Sequence, residues 1–357
     1  MFHRRLIRKS FPKRSERLIL FGLKLLTYPY RLGALIHRSV YFLRMKKSYQ
    51  SKRLTLSVGN IVCGGSGKTP FVRLLAHALK DKGQVAILSR GFRSQAEHNK
   101  KPFIVSQGQG PIKSSIEGGD EPFLLAKHLP WAIVLAGKNR TLSAKKAEEL
   151  GADLLILDDG MQHYALKSDV LIVLLSANDP FGLDEFLPRG RLRVSPKRLK
   201  EVGLIAVHHV NDKEQYKKIK KRIRDYSNAP VIGTELILKT SQNANKEVKP
   251  LLGRKLAAFC GIGNPIQFFE DLKKGGANLI FKHELPDHLG LGPKELDKLV
   301  ERARDLGAEG LVCTEKDWVK LSFLDRADLF LSYASPDVKI KYDTHCFEDW
   351  INRVKIR

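Results

Sequence analysis

Short apolar runs alternate with amphipathic stretches along most of the chain after Leu54. The runs have the length of strands, and the stretches between them carry apolar residues at helical spacing. Strands that alternate with helices predict a parallel sheet with helices on both faces. We therefore predict an α/β domain over residues 54–228. Its predicted strands are residues 54–60, 84–91, 131–137, 152–160, 169–177 and 202–210.

The alternation breaks over residues 229–253. Two apolar runs there flank a polar turn at residues 241–246, which predicts a two-stranded linker between domains. Beyond the linker, a strand followed by a helix is predicted again at residues 255–265 and at residues 309–318. We therefore predict a second, smaller α/β domain over residues 254–357.

A different pattern covers residues 17–44, near the start of the chain. Apolar residues are frequent there, and Lys24, Arg31 and Arg38 recur every seven residues, which puts them near one face of a helix. These charges interrupt the run of ~20 apolar residues that a membrane span requires. The pattern instead predicts an amphipathic helix that lies in a membrane interface and breaks at Pro29. The alternative is an ordinary helix packed on the neighbouring domain.

The charge of the N-terminal segment supports a membrane partner. Residues 1–53 contain fifteen Lys or Arg and one acid, Glu16, and so carry +14 of the chain's formal charge of +25. A basic surplus concentrated at one end predicts a polyanionic partner. Because the same segment is strongly apolar, we predict an anionic membrane surface as that partner and no nucleic acid.

The sequence NIVCGGSGKTPF at residues 60–71 has the composition of a phosphate-binding loop. A predicted strand leads into it and a predicted helix follows, so backbone N–H groups and the helix start would face a phosphate. Lys68 would reach the β- and γ-phosphates, and the Thr69 hydroxyl would ligate Mg²⁺. The strict pattern has a glycine where this chain has Val62. We predict that the nucleotide contacts the whole loop: Val62, Cys63, Gly64, Gly65, Ser66, Gly67, Lys68 and Thr69.

Asp158 and Asp159 end the apolar run LLILDDG. They are thereby predicted at the carboxyl end of the sheet, where the ligands of α/β proteins bind. One of them would hold Mg²⁺ directly or through water, as a Walker-B acid does. Taken alone, such a pair is also typical of a solvated turn. Together with the glycine loop, it predicts a site for Mg²⁺ and a nucleoside triphosphate, but it does not identify the phosphate acceptor.

Three other segments carry candidate chemistry. Asp120 and Glu121 lie at the start of a predicted helix, where Asp120 is either a helix N-cap or a general base for an acceptor hydroxyl. Asp287 and His288 lie in a loop of the second domain and would matter if that domain closed over the first. The arginine-rich residues 179–198 are either a solvated basic loop or a clamp for an anionic substrate.

The motifs VGN…GGSGKTP, ILSRG, GDEP, LDDGMQH, DPFG, GIGNP, PDH and TEKDWVKL occur in this order between about residues 55 and 320. In this set and order the chain closely resembles tetraacyldisaccharide 4′-kinase, the lipid A kinase of Gram-negative envelopes. The resemblance implies transfer of the γ-phosphate of ATP, with Mg²⁺, to the 4′-hydroxyl of an acylated glucosamine disaccharide 1-phosphate. It also implies a site at the cytoplasmic face of the inner membrane, which agrees with the basic and apolar character of residues 1–53.

The resemblance also implies roles for individual residues. Asp120 would be the catalytic base, with His288 as its partner from the second domain, and Lys68 would act on the phosphates. Asp158 and Asp159 would match the family's Asp-Asp pair. The residues predicted to contact the lipid substrate are Glu121, Arg191 and Arg193.

The chain departs from the family pattern mainly in its substrate loops. Arg93 replaces a small residue, Val194 replaces an acid, and Leu289 replaces a second histidine; Arg189 and Arg191 are additional. An alternative function of another class is a P-loop ATPase switch on a membrane or on DNA. That alternative predicts ATP hydrolysis without a small-molecule acceptor. The sequence assigns no role to the TEKD segment.

Overall fold

The computed structural model describes residues 14–64, 67–286, 291–321 and 330–356. The helices are α1 Arg14–Phe42, α2 Lys68–Leu79, α3 Gln95–His98, α4 Ser115–Gly118, α5 Asp120–His128, α6 Arg140–Glu149, α7 Lys213–Arg224, α8 Pro265–Lys274, α9 Pro293–Asp305, α10 Glu315–Trp318 and α11 Thr344–Arg353. The strands are β1 Leu54–Gly59, β2 Val85–Ser89, β3 Phe103–Gln107, β4 Ile133–Ala136, β5 Leu154–Asp158, β6 Val170–Ser176, β7 Leu204–His208, β8 Val231–Ile237, β9 Thr240–Asn243, β10 Val248–Pro250, β11 Lys255–Cys260, β12 Asn278–Glu284, β13 Gly310–Thr314, β14 Leu331–Ala334 and β15 Asp337–Tyr342.

The first sheet has nine strands among the described residues, in the order β15-β8-β7-β6-β1-β5-β2-β4-β3. The central strands pair in parallel, and only the edge strands β3 and β15 are antiparallel to their neighbours. Ile87 packs with the core beneath α2 and α5, whereas Ala86 and Leu88 pack with the core beneath α6. Because neighbouring residues of a strand point to opposite faces, both faces are buried under helices. The predicted α/β fold is confirmed.

The sheet register brings the two predicted halves of the nucleotide site together. Strand β1 lies between β5 and β6, and Val58 pairs with Asp158. The glycine loop therefore leaves β1 beside the residue at which β5 ends. This pairing is the geometry expected of ligand sites at the carboxyl ends of parallel strands.

A second sheet of six strands, counted over the described residues, has the order β10-β9-β14-β13-β11-β12. Its core includes Phe259, Leu272 and Leu299, so helices cover it on both faces. Strands β11 and β13 are the predicted strands of the second domain, and they pair in parallel.

The C-terminal part of the chain does not stay with the second sheet. Strand β15 pairs with β8 at the edge of the first sheet, and Phe347 and Ile351 of α11 join the core beneath α2. We predicted one domain over residues 254–357, but its last strand and helix belong to the first sheet by packing. The apolar faces of β15 and α11 are short, and the edge of β8 offers them both backbone partners and a buried surface.

The predicted two-stranded linker at residues 229–253 also differs from the structure. Its first apolar run is β8, a strand of the first sheet, whereas β9 and β10 form an antiparallel hairpin in the second sheet. The chain passes from one sheet to the other between Ile237 and Thr240. Each apolar run thus adds to an existing sheet edge, because an isolated two-stranded ribbon buries too little surface to be stable.

Helix α1 runs without interruption through Pro29, so the predicted break there is wrong. Proline removes one backbone hydrogen bond, but contacts with the body of the protein hold the helix on both sides of it. Lys24 lies 3.9 Å from Glu185, and the Arg31 guanidinium lies 5.0 Å from the centre of the Phe186 ring.

Candidate active site

The glycine loop connects β1 to α2 as predicted. Gly67 precedes the first helical residue, Lys68, and adopts a left-handed conformation with φ of 69°. A Cβ atom at Gly67 would lie 3.6 Å from the buried ring of His208 and would impose a backbone conformation that other residues rarely adopt. The loop therefore needs glycine here for its shape. Gly65 and Ser66 lie outside the described residues.

The arginine-rich segment fixes the start of the loop. The backbone N–H of Cys63 donates to the carbonyl of Arg191 at 2.8 Å, and the Arg191 guanidinium donates to the carbonyl of Cys63 at 2.6 Å and to Asp179 at 3.0 Å. Arg193 donates through Nε to the carbonyl of Asn60 at 3.1 Å. Both arginines, predicted to contact substrate, thus brace the phosphate loop. Arg193 also faces the cavity, whereas Arg191 is not among the residues that line it.

Asp158 and Asp159 are close neighbours in very different surroundings. Asp158 is buried, and its Oδ2 has no hydrogen-bond partner within the described part of the chain. Burial, together with the nearby Glu121 carboxylate, raises the pKa of Asp158 to about 7. Burial alone would also raise the pKa of Asp159, but Lys68 at 3.9 Å and Arg193 hold it below its usual value. Asp159 is therefore ion-paired, whereas one buried oxygen of Asp158 has no hydrogen-bond partner among the described residues.

Asp120 and Glu121 form the first turn of α5. The residue that precedes the helix is Gly119, and Asp120 is the first helical residue, so the interpretation of Asp120 as an N-cap is wrong. Asp120 Oδ2 lies 3.5 Å from the Nζ of Lys320, and Glu121 accepts a hydrogen bond from Lys316. Both lysines follow β13 of the second sheet, so the two carboxylates face the cleft between the sheets.

The TEKD segment supplies those lysines and has a clear structural basis. Thr314 ends β13, and its hydroxyl accepts the backbone N–H of Asp317 at 3.1 Å, which caps α10. Asp317 turns inward and accepts from the hydroxyl of Thr314 at 2.6 Å and from the backbone N–H of Gly261 at 3.0 Å. With Asp317 held inside, Lys316 projects into the cleft.

Glu315 fastens the same segment to α5. It is only 5% exposed and accepts from His128 Nε2 at 2.7 Å and from the Ser335 hydroxyl at 2.9 Å; Lys127 lies 3.6 Å away. Burial would raise the pKa of Glu315, but the hydrogen bond from His128, the charge of Lys127 and the hydrogen bond from Ser335 hold it below its usual value. The carboxylate is therefore charged and joins the two sheets.

A cavity of about 730 Å³ lies between the two sheets, and the residues described above that line it are Lys68, Asp120, Glu121, Asp158, Asp159, Lys316 and Lys320. Lys68 and the four acids lie on one side, and Lys316 and Lys320 lie on the other. The end of α1 reaches the cavity, and the His37 ring lies 5.3 Å from that of Tyr164. The cavity is also lined by the basic or titratable side chains Arg90, Lys138, Arg140, His163 and Arg193. Burial lowers the pKa of Arg140 to about 10 and that of His163 to about 4, so the arginine is charged and the histidine neutral at pH 7.

The sequence analysis missed Arg140, Lys316 and Lys320. Arg140 opens a helix directly after a buried strand, β4, and this position was an available signal for a ligand site. Lys316 follows β13 in the same way. The predicted His288 lies outside the described residues, so its place relative to Asp120 stays a prediction.

The residues at the end of β5 also fit a magnesium ion. Among the described residues, no group of three or more His, Cys, Asp or Glu side chains is arranged to hold a metal by itself. Mg²⁺ usually takes one or two protein carboxylates and completes its shell with water and substrate phosphates. The unpaired Oδ2 of Asp158 beside Asp159, with Thr69 at the start of α2, matches that requirement.

Comparisons with known proteins agree with this architecture. The LpxK family model, described as tetraacyldisaccharide-1-P 4′-kinase, matches residues 19–355. This chain belongs to the tetraacyldisaccharide 4′-kinase family. A tetraacyldisaccharide 4′-kinase from Halothermothrix orenii is 34% identical over 333 residues, which cover 88% of this chain and 86% of that protein. One from Syntrophus aciditrophicus is 32% identical and covers 95% of this chain and 94% of its own length.

A solved structure of the tetraacyldisaccharide 4′-kinase family is similar over nearly the whole chain. It is described as the "apo" form of LpxK from Aquifex aeolicus in complex with ATP. The TM-score is 0.73 at 29% sequence identity, and the match covers 94% of this chain and 99% of that one. The match therefore includes both sheets and the cleft between them.

Proposed function

We propose that this protein transfers the γ-phosphate of ATP to the 4′-hydroxyl of a tetraacylated glucosamine disaccharide 1-phosphate. The observation that carries the proposal is the cleft, in which a phosphate-binding loop, four carboxylates and two lysines of the second sheet surround one cavity of about 730 Å³. Membership of the tetraacyldisaccharide 4′-kinase family supports the identity of the acceptor.

The loop and α2 provide the site for the nucleotide. The N–H groups at the start of α2 and the Nζ of Lys68 offer positive charge to the β- and γ-phosphates. Mg²⁺ would be held by Asp158, Asp159 and Thr69, and when bound it neutralises charge on the phosphates. Arg191 and Arg193 hold the start of the loop by hydrogen bonds to the carbonyls of Cys63 and Asn60. Most of the catalysis in such transfers is positioning and charge neutralisation.

Asp120 is the residue that we assign as general base. It lies at the start of α5, and its carboxylate reaches the cavity, where an acceptor hydroxyl can approach it. The ion pair with Lys320 orients the carboxylate. His288 is the proposed partner of Asp120, from the family resemblance.

The exposed apolar surface of helix α1 supports a lipid as the phosphate acceptor. Large apolar side chains on it are more than half exposed, and the end of the same helix lines the cavity. By length and composition alone, Glu16–Phe42 is apolar enough to cross a membrane. Its basic side chains Lys24, Arg31 and Arg38 contact the protein's own residues 185–201, which leaves the apolar side free. We propose that α1 lies in the cytoplasmic face of the inner membrane and presents acylated substrate to the cleft. The exposed apolar side chains are Leu18, Phe21, Leu25, Leu26, Leu32, Leu35 and Ile36.

The function is tested by supplying the purified protein with γ-labelled ATP, Mg²⁺ and the lipid disaccharide monophosphate. We expect label in the lipid and little free phosphate. Robust hydrolysis without any labelled lipid, together with tight binding to DNA, would overturn the proposal in favour of an ATPase switch.

The membrane assignment is tested with Leu25→Glu on α1. Binding to vesicles of phosphatidylethanolamine and phosphatidylglycerol should weaken severalfold, because the variant places a charge where the wild type inserts an apolar side chain into the membrane interface. Leu306→Glu is the matched control, since Leu25 and Leu306 are 53% and 51% exposed. Equal vesicle binding by the two variants would exclude α1 as the contact.

A further inference from the structure

Lys316 is the cation that the second sheet places among the carboxylates of the first. It donates a hydrogen bond to Glu121, and Asp158 and Asp120 also act on its charge. Burial would lower the pKa of Lys316, but the Glu121 carboxylate and these acids raise it, so the side chain is charged. Its charge faces the carboxylates where a divalent cation would bind.

The carboxylates that line the cavity account for the position of Lys316. Asp158 has one buried oxygen without a hydrogen-bond partner among the described residues, and it lines the same cavity as Glu121 and Lys316. Lys68 and Arg193 form ion pairs with Asp159. Lys316 is the cation that donates a hydrogen bond to Glu121, and its charge also interacts with Asp158.

We propose that Lys316 is the resident counter-ion of these carboxylates in the nucleotide-free enzyme, and that a divalent cation at Asp158 and Asp159 competes with it. The proposal rests on the kinase function and on the magnesium site assigned above. Binding of the metal then weakens the contact between Lys316 and Glu121. Because Lys316 belongs to α10, metal occupancy is coupled to the contact between the two sheets.

Removal of the lysine charge should therefore strengthen binding of a divalent cation when no nucleotide is added. Lys316 lines the same cavity as Asp158 and Asp159, and a positive charge in a partly buried site opposes binding of a divalent ion there, by about tenfold. Lys316→Met removes the charge and keeps most of the apolar stem. The probe is Mn²⁺, which prefers the same oxygen ligands as Mg²⁺ and whose free concentration is read by electron paramagnetic resonance.

Two lysines provide matched controls with the same change of charge. Lys320 lies four residues further along and pairs with Asp120, 3.5 Å away. Lys127 belongs to α5 and lies 3.6 Å from Glu315 of α10, so it also joins these two helices. In the absence of nucleotide, Lys316→Met should bind Mn²⁺ about tenfold more tightly than the wild type. Lys320→Met and Lys127→Met should change the affinity less than about twofold.

Equal or weaker Mn²⁺ binding by Lys316→Met would overturn the proposal, and so would an equal gain in Lys320→Met, which would indicate a general charge effect. Circular dichroism checks folding, and Lys316→Gln replaces the methionine variant if that variant is unfolded. Amide exchange in the wild type gives an independent test, since saturating Mg²⁺ should speed exchange across residues 314–319; unchanged or slower exchange would contradict the proposal. Neither measurement depends on phosphate transfer, so the kinase function is tested separately.

Discussion

The two sides of the cleft differ in charge and in how they are built. The first sheet contributes the carboxylates Asp120, Glu121, Asp158 and Asp159, each at the end of a strand or the start of a helix. The second sheet contributes Lys316 and Lys320, which follow a single strand.

This difference shows which part of the site depends on contact between the sheets. The backbone of the first sheet positions the acids by itself, through the pairing of β1 with β5. Glu315 and Asp317 hold α10, which carries Lys316, against α5 and the residue that follows β11. Substitutions on the acidic side should therefore change chemistry or protonation, whereas substitutions behind the lysines should change the contact between the sheets.

The largest expected effect is that of Asp120→Asn on the acidic side. Loss of a general base should lower kcat by about 10³-fold, because the acceptor hydroxyl keeps its proton. Nucleotide affinity should not change, since Asp120 is not part of the phosphate loop. Steady-state transfer to lipid and equilibrium ATP binding measure the two quantities. Turnover close to that of the wild type would remove Asp120 as the base.

Asp158→Asn should make the metal-free protein more stable above neutral pH. The folded pKa of Asp158 is raised to about 7, so between about pH 4 and pH 7 the unfolded chain holds fewer protons than the folded one. Wild-type stability should therefore fall across that window relative to the variant, by up to about 4 kcal/mol, and the difference should level off above pH 7.

Urea unfolding in EDTA at several pH values measures this difference in the free energy of unfolding. Asp81→Asn is the control, because Asp81 is an exposed aspartate. A constant difference between Asp158→Asn and the wild type from pH 4 to pH 8 would show that the carboxyl of Asp158 is not perturbed.

Glu315→Gln tests the other side of the comparison. Removal of the charge from a buried, hydrogen-bonded network should lower the free energy of unfolding by about 3 kcal/mol, because Lys127 loses its counter-ion and the hydrogen bond from His128 weakens. Glu309→Gln is the matched control, since Glu309 is 52% exposed and lies 3.9 Å from Arg254 in the same sheet. It should cost less than about 1 kcal/mol. Equal losses in the two variants would show that Glu315 does not join the sheets.

Local patterns predicted the acidic side well. The glycine loop and the Asp158–Asp159 pair each follow an apolar run, and parallel strands bring their carboxyl ends together wherever they pair. The sequence therefore predicted the central strands of the first sheet and the nucleotide loop without any knowledge of long-range contacts, but it did not predict strands β3, β12, β14 and β15.

Long-range pairing was not predictable in the same way. Lys316 and Glu121 are 195 residues apart, and a lysine after a strand carries no periodic signal of its partner. Strand β15 likewise returns to β8 from the far end of the chain. Arg191 was interpreted as a substrate clamp because arginine binds phosphate, but its donors bind the backbone of Cys63 and the carboxylate of Asp179.

The most direct test of the central claim is the position of the transferred phosphate. After incubation with ATP, Mg²⁺ and the disaccharide 1-phosphate lipid, ³¹P NMR of the extracted lipid should show two phosphomonoester signals, one at carbon 1 and one coupled to the proton at carbon 4′. A lipid that keeps its single phosphate while ATP is consumed would contradict the account.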